Sequence, residues 1–246
     1  MNDKRLLFRY FFEVVIIIFS VTISFYIQDL LNQKDKKELK NKGLEGVILE
    51  LKKDEQAFKY SDFYNNRRLN YIDSLFDLSL PFKPEFVSGV WGNNILIENK
   101  NYFEALVSTG AIEFIENTEL QSELSNYYSF EYSLINISMK SDDRSYIMFS
   151  EQIVNYQLDS IKYGSQGVVT KHYFNPTDIK QIRRDKKLKS ICLDWTMTIK
   201  LENERIAQSK KTIKKLIKLI SRSRWRIWKG TMSLRFRYNR RFTKIR

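Results

Sequence analysis

Residues 11–31 read FFEVVIIIFSVTISFYIQDLL, and this stretch decides the organisation of the chain. A helix rises about 1.5 Å per residue, so the stretch is about 32 Å long, close to the thickness of a bilayer's hydrocarbon core. It contains no charged residue between Val14 and Ile27, and Tyr10 and Tyr26 lie near its ends, where aromatic rings favour the membrane interface. The sequence therefore predicts a single transmembrane helix.

Two other interpretations of this segment fit the sequence less well. A cleaved signal peptide has a shorter apolar stretch followed by small residues, whereas this stretch ends in FYIQD at Phe25–Asp29. A buried helix of a soluble protein rarely contains six successive large aliphatic or aromatic residues, as Val14–Phe19 does. Both comparisons favour a membrane anchor.

The remainder of the chain is predicted to be helical. Gly (8) and Pro (3) are scarce among the 246 residues, although sheet-rich folds need frequent turns. Apolar residues recur at helical spacing, and antiparallel packing buries long amphipathic helices best. We expect an all-α fold, a single N-terminal transmembrane helix followed by a long-helix antiparallel bundle. The predicted parts are a short basic head (1–9), the transmembrane helix (10–31), the bundle (32–209) and a basic aromatic tail (210–246).

Local signals place several boundaries within the bundle. The spacing of Thr118–Gln121 is typical of a capping box at a helix start, and Ser141–Asp143 is a possible break in the helix that follows. The apolar stripe of that helix extends in the sequence to Leu158 and Ile161. Further expected features are a short β-like run, Val168–Phe174, and a helix start with Asn175 as N-cap and Pro176 in the first turn.

Two stretches resemble the DUF6090 family of Bacteroidetes membrane proteins. One is Glu13–Ser20, and the other is Tyr102–Gly110 with the residues that follow it: Ile112, Ile115, Asn117, Leu120, Tyr127 and Tyr128. The resemblance covers about residues 8–220. It departs from the family at the exit of the span, where this chain has Tyr26, Gln28 and Leu30, and in its shorter head. The family has no assigned activity, so the resemblance implies an architecture and no mechanism.

The orientation in the membrane follows from the resemblance more than from charge. Positive residues are slightly more numerous after the span than before it, which favours a cytoplasmic C-terminal side. A short basic head usually stays in the cytoplasm, however, and the family's head implies the same. We therefore expect a protein of the bacterial inner membrane, with the N-terminus cytoplasmic and the domain periplasmic.

Glu13 is the one intramembrane polar candidate. A carboxylate inside an apolar span is by default a functional hypothesis, and Glu13 matches a position of the resembled family. The alternative is an ion pair with Arg9, four residues earlier, at the headgroup boundary.

The sequence carries none of the common catalytic or metal-binding motifs. The sequence contains no phosphate-binding loop, dinucleotide fingerprint, nucleophile elbow or zinc-protease motif. The only histidine, His172, is expected to be solvated or to cap a helix, and the only cysteine, Cys192, lies on an apolar stripe and is expected in the core. The acidic pairs Asp54–Glu55 and Asp142–Asp143 are interpreted as solvated faces. We predict no enzyme activity, no cofactor and no metal.

The net charge of +13 is confined to the C-terminus. From Lys210 to Arg246 there are fifteen Lys and Arg and no Asp or Glu, so about −2 remains for residues 1–209. The stretch Leu234–Tyr238 alternates like a strand or an extended arm. The predicted surface-binding or lipid-binding residues are Lys211, Lys214, Lys215, Lys218, Arg222, Arg224, Trp225, Arg226, Trp228, Arg235, Arg237, Arg240 and Arg241.

These observations favour a non-catalytic, single-pass membrane protein whose helical domain binds a protein partner or a membrane surface. The tail is expected to bind anionic lipid headgroups, which requires the last helix to return toward the membrane; we expect this for an even number of long helices. A protein partner or a homo-oligomer is also expected, and nucleic acid is not expected as a partner. The alternatives are a ligand-sensing module that signals through the span, which needs a polar pocket between helices, and nucleic-acid binding by the tail.

Overall fold

A computed structural model of the chain describes residues 3–92, 98–164 and 169–242; side chains are described within those ranges except at residues 3–9, 169 and 224–242. The described part is mostly helical. Its elements are α1 (Asp3–Phe76), α2 (Pro84–Val90), α3 (Asn101–Ser108), a 3-10 turn (Ala111–Phe114), α4 (Thr118–Asn126), a π-helical turn (Tyr127–Glu131), α5 (Tyr132–Ile153), β1 (Leu158–Tyr163), β2 (Val169–Phe174), α6 (Pro176–Ile182) and α7 (Lys186–Phe242).

Helix α1 is a single uninterrupted helix of 74 residues that joins the apolar segment to the bundle. Among the described helices, α1 is the one that is long and apolar enough to cross a membrane. No residue of its most apolar stretch is buried against the rest of the protein. The helix ends at Phe76, ahead of a turn in which Asp77 accepts a hydrogen bond from the backbone of Ser79 at 2.9 Å. Pro81 follows, and proline cannot continue a helix.

Three long helical units form the bundle: the second half of α1, the continuous unit α4–α5, and α7. Hydrogen bonds from Tyr128 to Glu50 and from Arg68 to Asp142 show that α1 and α4–α5 run parallel. Side chains of α7 bond to progressively earlier residues of both units as α7 proceeds. In α4–α5, Trp195 bonds to Asp142 and the later Ser209 to Glu131. In α1, Asn203 bonds to Asn65 and the later Lys210 to Asp62. Helix α7 is therefore antiparallel to the other two.

The expectation of an antiparallel bundle is thus correct for α7 and wrong for the pair α1 and α4–α5. The chain returns from the far end of α1 through α2 and α3, which lie against α1. These short helices connect the far end of α1 to the start of α4 near the apolar segment. Three long units consequently leave the last one running back toward the apolar segment, and the expectation that an even number was needed is wrong.

The core consists of two apolar clusters along the bundle. The cluster nearer the apolar segment joins Leu44, Val47 and Leu51 of α1 to Ile213 and Ile220 of α7. The distal cluster surrounds Trp195 and includes residues of α1, α2, α5 and α7. Because fully buried residues of α7 extend to Ile220, the bundle does not end at residue 209, and the first part of the predicted tail belongs to the core.

Glycines on α1 allow α3 to approach it closely. A Cβ added at Gly43 would lie 2.4 Å from Leu106, and one added at Gly46 would lie 2.1 Å from the Tyr102 ring. Side chains at these two positions would push α3 away, because packed interiors leave no room for extra atoms. Gly110, after α3, has φ of 68°, as expected of a residue that ends a helix in the left-handed region.

Several boundaries differ from the sequence-based expectations. The fold is not purely helical, because β1 and β2 form an antiparallel hairpin; Leu158 and Ile161 lie in β1 and do not extend α5, whereas the predicted β-like run is confirmed from Val169 onward. Asn117 caps α4 by accepting a hydrogen bond from the backbone of Leu120, in place of Thr118. No break occurs at Ser141–Asp143.

Two further local predictions concern the start of α6 and the end of α7. Asn175 caps α6, accepting from the backbone of Asp178 at 2.8 Å, with Pro176 in the first turn as predicted. The stretch Leu234–Tyr238 is helical, since α7 continues to Phe242. Its alternation in the sequence does not correspond to a strand.

Candidate functional site

The C-terminal part of α7 lies beside the part of α1 that follows the apolar segment. Leu219, Arg222 and Ser223 line a depression with Lys40 of α1 and Thr118 at the start of α4. Lys40 follows the last apolar residue, Leu31, by about 14 Å of helix. The antiparallel course of α7 therefore brings its basic end toward the apolar segment.

A row of cations runs along the outer side of α7, and we call it the basic face. It consists of Lys211, Lys214, Lys218 and Arg222, all of which are exposed. Their spacing of three to four residues places them on one side of the helix. The opposite side is buried at Ile213, Leu216 and Ile220, so α7 is amphipathic here and its charges face solvent.

Two lysines of the predicted basic tail have partners within the bundle. Lys215 Nζ lies 3.0 Å from a Glu119 oxygen and 2.9 Å from a Glu123 oxygen. Hydrogen bonds to these carboxylates raise the pKa of Lys215. Lys210 likewise pairs with Asp62 of α1. Lys215 is thus paired with α4, and its predicted role as a lipid-binding residue stays a prediction.

The later tail residues are described by their backbone only. Residues 224–242 continue α7 as a helix, and residues 243–246 lie outside the described residues. The predicted roles of Arg224, Trp225, Arg226, Trp228, Arg235, Arg237, Arg240 and Arg241 stay predictions. Glu13 lies exposed on α1, and its proposed pairing with Arg9 stays a prediction because the Arg9 side chain is outside the described part.

A layer of carboxylates and tyrosines occupies the middle of the bundle, and sequence reasoning missed it. The Tyr127 hydroxyl donates to Asp54 Oδ2 at 2.9 Å, and the Tyr128 hydroxyl donates to Glu50 Oε2 at 3.3 Å. Asn99 Nδ2 also donates to Asp54 Oδ1 at 2.8 Å. Tyr127 and Tyr128 belong to the π-helical turn, a feature that often marks strained or functional positions.

Burial changes the titration of this layer. Loss of hydration raises the pKa of Asp54 and of Glu50 above the ordinary carboxyl values, although the tyrosine hydrogen bonds oppose the shift. Burial also raises the pKa of Tyr127 far above the physiological range, so this phenol remains a donor. The interpretation of Asp54 as part of a solvated face is wrong, since its side chain is almost completely buried.

Asp142 was also predicted to be solvated and is buried. Its Oδ1 accepts from Arg68 Nη1 at 2.5 Å and from Trp195 Nε1 at 2.5 Å. A signal for both carboxylates exists in the sequence, because each falls on an apolar stripe. Asp54 follows Leu51 by three residues, and Asp142 precedes Phe149 by seven, so helical spacing places each among buried neighbours.

His172 and Cys192 are both buried. His172 is buried, with Nδ1 2.9 Å from the Ser88 hydroxyl and its ring stacked on Trp91 at 4.6 Å; the expectation of a solvated or capping histidine is wrong. Cys192 is fully buried, as predicted, and burial raises its pKa to about 12. Among the described residues, no group of three or more His, Cys, Asp or Glu could hold a metal ion.

No family model, curated protein or solved structure matches this chain. The resemblance to the DUF6090 family rests only on the residues quoted for it, gains no support from these comparisons and stays a prediction.

Proposed function

We propose that the protein is a non-catalytic, single-span membrane protein whose helical bundle is held against the surface of its own membrane by the end of α7. The observation that carries this proposal is the antiparallel course of α7 along α1. It turns the most basic part of the chain toward the apolar segment. A tail pointing the other way would have no membrane within reach.

The exposure of the apolar segment supports the anchor. Ile16, Ile17, Ile18 and Phe19 each expose 60% or more of their surface. Removing one such side chain from water is worth about 1.5–3 kcal/mol, so a run of them strongly favours a bilayer. The continuity of this segment with the bundle helix also favours an anchor over a leader that is removed.

Distance decides which cations contribute. Arg222 lies level with Lys40, about 14 Å of helix beyond Leu31, and Lys211 lies about 16 Å farther away. Charges are screened over about 8 Å at physiological salt. The headgroup layer extends about 5–7 Å beyond the hydrocarbon. The proposal therefore assigns lipid contact to Arg222 and the residues after it, and no longer to Lys211, Lys214 or Lys218.

The residues that follow have the composition of an interfacial helix. About nine more residues of helix span the distance from Arg222 to the level of Leu31. In the sequence, Trp225 and Trp228 lie within these nine residues, next to Arg224, Arg226 and Lys229. A cation near an anionic leaflet is worth about 1 kcal/mol, and the tether to the bilayer raises the effective concentration of the tail.

The proposal is tested with the full chain reconstituted into neutral or anionic vesicles that contain brominated lipid. We expect fluorescence of Trp225 and Trp228 to be quenched more in anionic vesicles, and the quenching to fall as salt is added. A Trp225→Phe, Trp228→Phe variant gives the contribution of Trp91 and Trp195. Removing four charges by Arg222→Gln, Arg224→Gln, Arg226→Gln and Lys229→Gln should abolish the difference between the two vesicles.

The matched control removes four exposed charges at the opposite end of the same helix and in the turn just before it: Arg184→Gln, Lys186→Gln, Lys187→Gln and Lys189→Gln. This variant should behave like the parent. Equal quenching in neutral and anionic vesicles, or an equal effect of the two variants, would contradict the proposal. Capture of a protein partner by the parent in neutral vesicles alone would favour the partner-binding alternative.

A further inference from the structure

A second candidate site lies at the end of the bundle that is distant from the apolar segment. A cavity of about 310 Å³ opens between α1, α2 and β2, within the size range of ligand pockets. Its walls include Tyr64, Arg67, Tyr71, Ser88, Trp91 and His172. Three of these residues belong to α1, so any ligand here would contact the helix that carries the apolar segment.

Close packing of α1 on α2 fixes the two tyrosines of the wall. A Cβ added at Gly89 would lie 1.9 Å from the Tyr71 ring, and one added at Gly92 would lie 1.8 Å from the Tyr64 hydroxyl. The tyrosines therefore rest directly on the glycine backbone. Buried Arg68 supports this wall from behind, donating from Nη2 to the Gly92 carbonyl at 2.7 Å.

The opposite wall is also held in place. Trp91 Nε1 donates to Ser150 Oγ at 2.7 Å, and the His172 ring stacks on Trp91. Ser88 Oγ lies 2.9 Å from His172 Nδ1 and fixes the orientation of that ring. Aromatic side chains thus line both sides of the cavity, and neither side depends on the ligand for its position.

The charge of the lining is positive. Arg67 and Glu85 are its charged residues, and Glu85 is neutralised by Lys171 at 2.5 Å. The hydrogen bond to Lys171 lowers the pKa of Glu85, which keeps that pair ionised. Burial lowers the pKa of His172, so the ring is neutral at pH 7. The remaining charge is the guanidinium of Arg67.

Arg67 is oriented and has a free donor edge. Its Nε and Nη2 donate to the Tyr71 hydroxyl at 3.0 and 2.9 Å. Its guanidinium also lies 5.3 Å from the Tyr71 ring centroid. Within the described part of the chain, no acceptor bonds to Nη1. An oriented arginine with a free N–H is suited to a carboxylate.

We infer that this cavity binds a small aromatic carboxylate, with the ring between the aromatic walls and the carboxylate on Arg67. The cavity is on a different part of the molecule from the proposed membrane contact, and the two can fail separately. Binding here would join α1, α2 and the hairpin, none of which is otherwise held by a disulfide.

Benzoate is the probe that tests this inference, with benzamide as its uncharged counterpart. Benzoate is titrated into the full chain in detergent. Isothermal calorimetry and the NMR signal of the Trp91 indole N–H should both show saturable binding. Benzamide should bind at least about tenfold more weakly, because a hydrogen bond to a charged group is worth more than one to a neutral group. Arg67→Gln should weaken benzoate binding by a similar factor and leave benzamide binding unchanged.

Arg144→Gln is the matched control, since Arg144 is an exposed arginine on α5 outside the cavity. Gly89→Ala, which displaces Tyr71, should reduce the binding of both probes. The inference would be overturned if benzoate bound equally to the parent and to Arg67→Gln, or if the parent bound the two probes equally. It would also be overturned if a parent protein with the helical content of the folded chain showed no saturable binding.

Discussion

The Asp142 carboxylate lies where three helices meet. Arg68 of α1 and Trp195 of α7 both donate to its Oδ1, while Oδ2 and Arg68 Nε have no hydrogen-bond partner within the described residues. The Arg68 guanidinium lies 4.8 Å from the Tyr64 ring and 4.7 Å from the Trp195 ring. A pair of this kind is costly to bury and still more costly to break.

Removing one partner of this ion pair should destabilise the protein strongly. We expect Arg68→Met to lower the free energy of unfolding by about 3–5 kcal/mol, because the Asp142 charge is then buried without a cation. The double variant Arg68→Met, Asp142→Asn should lose much less, since no uncompensated charge remains. Urea unfolding of the full chain in detergent, followed by tryptophan fluorescence, measures the three values.

Arg144→Met provides the control for this cycle, because Arg144 is an exposed neighbour of Asp142 on α5. Its effect should stay within about 0.5 kcal/mol, as for most surface substitutions. A double variant as unstable as Arg68→Met alone would show that the loss comes from packing of the arginine and not from the uncompensated charge of Asp142.

The sequence predicts the apolar residues of the core better than its polar ones. Leu44, Val47 and Leu51 are identified by spacing alone and are buried. Asp54 and Asp142 lie on the same stripes, yet a carboxylate at a stripe position is buried only if partners from other helices reach it. Those partners are distant in the sequence, and local periodicity does not reveal which helices will meet.

At the scale of elements, the contact between α1 and the π-helical turn links stability to pH. Burial raises the pKa of Asp54, so the folded protein binds a proton more readily than the unfolded chain at this site. Stability from this group is then fully present below the ordinary carboxyl pKa, about 4, and is lost as pH rises through the folded value. Glu50 contributes in the same direction.

Asp54→Asn should therefore become more stable relative to the parent as pH rises from about 4 to 7, because asparagine carries no charge to desolvate. The gain is about 1.4 kcal/mol for each unit by which the folded pKa exceeds the unfolded one. Unfolding free energies at several pH values measure it. Asp73→Asn, which removes an exposed carboxylate of the same helix, should show no such gain. A constant difference between Asp54→Asn and the parent would contradict the assignment.

The sequence predicts an element well where apolar residues recur at regular spacing over a long stretch, or where a capping residue marks the start of a helix. Helix α1, the boundary at Asn175–Pro176 and the run from Val169 meet those conditions. The β1 strand does not, because Leu158 and Ile161 are spaced as they would be in a helix and are exposed in the hairpin. The parallel relation of α1 and α4–α5 depends on the path of the connector, and no residue pattern specifies that path.

At the scale of the whole molecule, the orientation of the chain in the membrane stays a prediction. We expect the N-terminus in the cytoplasm and the bundle outside. Alkaline phosphatase fused after Arg246 should be active, and a fluorescent reporter that folds only in the cytoplasm should be dark at the same position. The opposite result would place the basic tail in the cytoplasm and favour nucleic-acid binding by that tail. Resistance of the chain to alkaline extraction checks the anchor independently.

Because α1 is continuous, it also fixes the rotation of the bundle about the axis of α1 relative to the apolar segment. Each residue inserted between Leu31 and Lys40 would lift the bundle by about 1.5 Å and turn it by about 100° around the axis of α1. Seven inserted residues would nearly restore the original direction, while three or four would bring it back only approximately. In the anchored protein that we propose, the number of residues in this short stretch therefore selects which side of the bundle faces neighbouring proteins in the plane of the membrane. A flexible hinge could not make that selection.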